Sequence, residues 1–170
     1  FQNEGLDEFA HMAVLPPPAS NPNMARVVLW KRSQDLEDCF DGRPPRSFLW
    51  RPRSPADLVE LAPPTNAPAD GTGDFFCSGH TFDRDGRLIV VGGQNYKAKC
   101  QNPCDPGNHG SNEAVGHKFT YRLDTSVDPP VWQPDSGLLD RERWYPSIIN
   151  LPNGELFVGG HSGAPSTACP

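Results

Sequence analysis

The sequence predicts an all-β protein assembled as a propeller of sheet blades, on three observations. Proline and glycine are frequent, 20 Pro and 16 Gly among 170 residues; this disfavours long helices yet falls short of a disordered composition. β-Branched and aromatic runs such as Leu88-Ile89-Val90-Val91 recur between turn signals. A hairpin closing in Gly-Gly appears twice, as DFFCSGHTFDRDGRLIVVGG over 74–93 and as RWYPSIINLPNGELFVGG over 143–160. One hairpin pattern that recurs along a chain points to stacked blades.

Taken in order, residues 1–8 are polar and read as an N-terminal arm. Residues 11–15 and 26–30 are apolar strands separated by a Pro-rich loop, because Pro blocks both pairing and helix. An acidic loop carrying Cys39 follows, then strands at 47–51 and 57–61. These four strands make a first blade, 9–61. After a Pro/Ala/Asp/Gly loop, Phe75, Cys77 and Gly79 alternate with Phe76, Ser78 and His80 at the strand period of two. Asp85-Gly86 reads as a two-residue type I′ turn. The run 88–91 is the second strand, and Gly92-Gly93 lets the chain leave the sheet.

Residues 94–116 form an irregular insert with two cysteines, two prolines and His109; loops this long inside a compact fold are commonly functional. Strands at 117–123 and 131–132 complete a second blade, 74–135. The hairpin at 143–160 supplies half of a third, with Asn153-Gly154 as its turn. A partial propeller over 9–170, about two and a half blades, is short of the four to eight needed for closure. The chain, which starts at Phe1 without Met, is therefore expected to be a fragment or a processed subunit. Its first partner is the remainder of the propeller, from the same precursor or a second chain.

Composition narrows the function. A net charge of −6 gives no electrostatic footprint for nucleic acid. No apolar stretch approaches the ~20 residues of a membrane-spanning helix. There are five cysteines. A local disulfide between Cys100 and Cys104 is one pairing, and Cys39 and Cys169 could join each other or outside sequence. Bridged, they imply a secreted or periplasmic protein; reduced, a cytosolic one. Cys77 stands apart, inside a strand. It and Tyr145 precede the ends of their hairpins by nearly equal distances, so the thiol and the phenol should be neighbours near the axis of the ring.

At these residues the sequence resembles a known family. Phe76-Cys77-Ser78-Gly79-His80 with Asp85-Gly86-Arg87-Leu88, then Arg143-Trp144-Tyr145, look like motifs of the copper radical oxidases, the galactose oxidase and glyoxal oxidase family. His11-Met12-Ala13 with Val27-Val28-Leu29-Trp30 looks like the start of the glyoxal oxidase propeller. The match runs from about residue 9 to 163 and implies a seven-bladed propeller of kelch type. It also implies a thioether between Cys77 and the ring of Tyr145, and a copper ion bound by the Tyr145 phenolate. Imidazole and phenolate suit Cu(II). An ortho sulfur delocalises unpaired spin, so the phenol oxidises more easily. Phenol and copper together would take two electrons from a primary alcohol or aldehyde, and O₂ would become H₂O₂. The family's axial tyrosine and two histidine ligands would fall beyond Pro170.

Two departures accompany the match. The third hairpin counts one residue fewer between its turn glycine and its Gly-Gly, which leaves His161 and Ser162 as candidates to lie over the thioether. Pro146 removes a backbone donor beside the tyrosine. Ordinary readings stand next to these. A lone Cys77 would be a buried structural thiol and a lone Tyr145 a core or rim aromatic. His80 and His11 read as structural, His109 and His117 as solvated loop histidines, and Arg141, Glu142 and Arg143 as a solvated cluster. Asp83 and Asp85 read as turn residues. No zinc spacing occurs. The alternative function is a non-catalytic kelch-type propeller that binds carbohydrate or protein; a secreted structural protein is a third.

Overall fold

Antiparallel strands make up every regular element of the computed structural model, which describes residues 9–31, 44–52, 57–65, 67, 73–95, 116–133 and 137–160. The first sheet is a four-stranded meander, β1 (Phe9–Leu15), β2 (Arg26–Lys31), β3 (Arg46–Trp50) and β4 (Leu58–Leu61), each paired with the next. Its strands begin and end within two residues of the bounds read from the sequence. The second sheet orders β5 (Gly79–Phe82), β6 (Leu88–Val91), β7 (His117–Asp124) and β8 (Val131–Gln133). A further strand, β9 (Leu138–Arg143), pairs with the first half of β7. The third unit is the hairpin of β10 (Ser147–Asn150) and β11 (Leu156–Gly159).

The first two sheets bury their apolar faces against each other. Leu15, Val28, Trp30 and Leu49 from one meet Phe75, Leu88, Val90, Tyr121 and Trp132 from the other. Each large side chain so buried contributes about 1.5–3 kcal/mol. The polar ends of the two tryptophans cross in opposite directions. Trp132 Nε1–H donates to Ser47 Oγ at 2.9 Å, and Trp30 Nε1–H donates to Ser78 Oγ at 3.3 Å. Arg26, fully buried, donates to the oxygens of Thr125 at 2.6 Å and Val127 at 2.7 Å and pairs with Asp128 at 3.5 Å, so β2 is clamped to the β7–β8 connection.

All four residues of β6 are buried because the second sheet is a middle layer. Leu88 and Val90 face the core, while Ile89 and Val91 face a cleft shared with Leu156 and Val158 of the third hairpin. That hairpin lies beside β5, where Asn150 Nδ2–H donates to Thr81 Oγ1 at 3.1 Å.

Several expectations are corrected here. Both hairpin turns place positive φ only at the glycine, Gly86 at 79° and Gly154 at 86°, and not at Asp85 or Asn153. Gly86 N–H donates to Asp83 O and Asp83 N–H to Arg87 O, so the connection is a three-residue turn with a glycine bulge, not type I′. The third hairpin is no shorter than the second: Gly79 pairs with Val91 as Ser147 pairs with Gly159, so its Gly-Gly is displaced by one position. Arg141 and Glu142 are exposed and Arg143 partly so, as the reading of a solvated cluster has it, but they lie in a strand, β9, that the sequence did not show. Cys39, Cys100, Cys104, Cys169, His109, His161, Ser162, residues 1–8 and most of the insert lie outside the described residues.

Candidate functional site

The stretch Arg143–Tyr145–Pro146 lies flush against the second sheet because glycines clear its path. A Cβ on Gly79 would stand 2.3 Å from the oxygen of Pro146, and one on Gly116 would stand 2.3 Å from the carbonyl carbon of Arg143. Gly93 N–H donates to Arg143 O at 3.0 Å. Main chain therefore meets main chain across the seam between the second sheet and the third hairpin.

Cys77 and Tyr145 meet at that seam. Each lies two residues before the first strand of its hairpin, and Tyr145 N–H donates to Cys77 O at 2.7 Å. Neither is inside a strand, contrary to the alternation read at 75–80. Both are left-handed, Cys77 at φ 63° and Tyr145 at φ 48°, a conformation that strands exclude. The local cause at Cys77 is a tight turn. Asp74 Oδ1 accepts the Phe76 N–H at 2.7 Å, and Phe75 O accepts the Ser78 N–H at 3.1 Å. Cys77 is then the third residue of a four-residue turn, where positive φ is usual for glycine and rare for other residues. Such strain persists only where the surroundings enforce it.

The surroundings come from all three units. Cys77 is 2 % exposed, with Sγ 4.0 Å from Gln94 Oε1. Its N–H donates to His11 Nε2 of β1 at 3.2 Å. The His11 ring stacks on Trp30, centroids 5.4 Å apart, and lies 6.1 Å from the Tyr145 ring. His80 stands edge-on to Trp30 at 4.9 Å. Trp144 packs edge-on to Tyr145, also at 4.9 Å. Tyr145 itself is 50 % exposed. Burial, with His80 close by, lowers the pKa of His11 to about 4, and burial also lowers that of His80. Both imidazoles are thus neutral near pH 7.

His117 departs from its reading as a solvated residue. It is buried in β7, where Nε2–H donates to Asp74 O at 2.9 Å and Nδ1 accepts the Phe119 N–H at 3.1 Å. Arg143 is half-buried and donates to Gly160 O at 3.1 Å. Sequence reasoning read His11 as a structural histidine without naming its partner, and it missed Gln94, which no local pattern marks.

A copper ion would need more donors than these. Among the described residues, no group of three or more His, Cys, Asp or Glu stands close enough to hold a metal. The imidazole Nε2 of His11 is already engaged. What the described residues bring together is a thiol-bearing and a phenol-bearing residue whose main chains meet at the seam.

No protein-family model matches the chain, and no curated protein matches it. Among solved structures it is similar to a fungal alcohol oxidase, described as novel, with catalytic diversity among the AA5 family, in complex with copper. The two are 19 % identical with a TM-score of 0.51, over 92 % of this chain and 28 % of the oxidase chain. At that identity the likeness is one of fold, and this chain spans little more than a quarter of the oxidase's length. In fold, then, the chain is similar to one segment of a copper alcohol oxidase.

Proposed function

We propose that this chain is the N-terminal part of a seven-bladed, kelch-type copper radical oxidase, which oxidises a primary alcohol or aldehyde with O₂ and releases H₂O₂. One observation carries the reading: Cys77 and Tyr145, far apart in sequence, are joined main chain to main chain at 2.7 Å. In this reading Cys77 Sγ bonds to the ring carbon ortho to the Tyr145 hydroxyl. The S–H and the ring C–H are lost, and their two protons and two electrons pass to O₂ as H₂O₂.

Copper, when bound, would supply a one-electron acceptor beside the phenol. Tyr145 would hold it through its oxygen, with the remaining ligands from outside the described residues. The chain's own contributions are several. Cys77 lowers the cost of oxidising the phenol, and its burial keeps the sulfur from water. The glycine-cleared seam fixes the approach of the two main chains. The substrate alcohol, the missing blades and a secreted or periplasmic location belong to the same reading.

Intact-mass measurement of the full polypeptide under denaturing, reducing conditions tests it. The crosslinked protein weighs two hydrogens less than its sequence, and Cys77 resists alkylation. A freely alkylated Cys77 after exposure to copper and O₂ supports instead a non-catalytic propeller that binds carbohydrate or protein.

A further inference from the structure

We propose that His11 is a positioning residue for the Cys77–Tyr145 pair: by accepting the Cys77 N–H at Nε2, it holds the left-handed turn that carries the sulfur. The inference rests on the reading of that pair as a thioether.

The two main-chain polar groups of Cys77 are gripped by two different units. Its C=O takes the Tyr145 N–H at 2.7 Å, and its N–H goes to the imidazole of the first sheet at 3.2 Å. The imidazole is itself aimed. The β1–β2 register shifts between Phe9 and His11, a bulge of the kind that redirects a side chain. His11 then faces its cross-strand partner Trp30, with ring planes 6° apart. Trp30 Nε1–H reaches the hydroxyl of Ser78 at 3.3 Å. One stacked pair thus holds two consecutive residues of the turn. A non-glycine residue released from such restraint leaves the left-handed region, and the sulfur moves with it. Only an imidazole with an unprotonated Nε2 can act this way.

Nitrogen NMR of the full polypeptide, with histidine labelled, reads the bond in the wild type. His11 is expected as the Nδ1–H tautomer with a hydrogen-bonded, unprotonated Nε2; an Nε2–H tautomer overturns the proposal. Two variants read its consequence. His11→Phe keeps a ring on Trp30 but loses the acceptor, whereas His11→Gln offers a carbonyl in its place. Crosslinking, followed by mass after addition of copper and O₂, should slow about tenfold or more in His11→Phe and recover in part in His11→Gln. A wild-type rate in His11→Phe overturns the proposal. If the wild type forms no crosslink, the oxidase reading fails separately. The brace is then judged by Cys77 alkylation, which should be faster in His11→Phe, and equal rates would refute it. If His11→Phe does not fold, the tautomer decides.

Discussion

Tyr145 gives its main-chain N–H to the main-chain oxygen of Cys77 at 2.7 Å, and both residues are left-handed. The pair is a property of the backbone first and of the side chains second. Cys77→Gly separates the two. Glycine accepts φ 63° without strain, so the seam should persist and thermal stability should change little. The mass deficit should vanish, and H₂O₂ production from a primary alcohol should fall roughly a hundredfold or more. An enzyme assay beside a thermal melt reads both.

Gly79→Ala attacks the seam from the other side. Its Cβ would lie 2.3 Å from Pro146 O, a main-chain atom that cannot swing aside. A loss of about 1–3 kcal/mol in denaturant unfolding is expected. The slower crosslinking that accompanies it would distinguish displacement of Tyr145 from general destabilisation.

Arg26→Met tests the clamp between the first two sheets. The substitution removes a fully buried guanidinium and leaves the oxygens of Thr125 and Val127 without that donor. Stability should fall by roughly 3 kcal/mol, since breaking a buried charged network costs more than the pair contributes. Urea unfolding at neutral pH measures it, and no change would mean that water replaces the donor.

Stability should also depend on pH through His117. Burial lowers its pKa from 6.5 to about 4. Above pH 6.5 it is neutral whether folded or unfolded, and stability is unaffected. Between 6.5 and 4 the unfolded chain binds the extra proton, so stability falls as pH is lowered, by up to about 3 kcal/mol at pH 4. His11 is shifted the same way and adds to the trend. Unfolding free energies that stay flat from pH 7 to 4.5 would contradict the burial.

The first sheet was legible because its strands are apolar runs fenced by prolines, and the run 88–91 because it is buried on both faces. That the chain brings Cys77 and Tyr145 to one seam, where their main chains meet, was legible because they precede the ends of their hairpins by nearly equal distances. Their backbone was not. A phenylalanine-rich alternation looks the same whether it forms a strand or, as at 75–78, folds into a turn fastened by Asp74 and Gln94. Asp85-Gly86 misled on turn type because a glycine bulge and a type I′ turn both need a left-handed glycine. β9 went unseen because it carries Asp140-Arg141-Glu142-Arg143: the solvation of these charges was legible, but charged residues on an outer strand give no apolar period to mark it. His117 hid for another reason: its partner is the oxygen of Asp74, 43 residues away.

Peptide mapping of the full polypeptide, after exposure to copper and air and with all thiols reduced and alkylated, tests the central claim most directly. A single branched peptide is expected, containing Cys77 and Tyr145 joined through sulfur and two hydrogens lighter than its parts. Separate linear peptides, with Cys77 alkylated and Tyr145 unmodified, would contradict it.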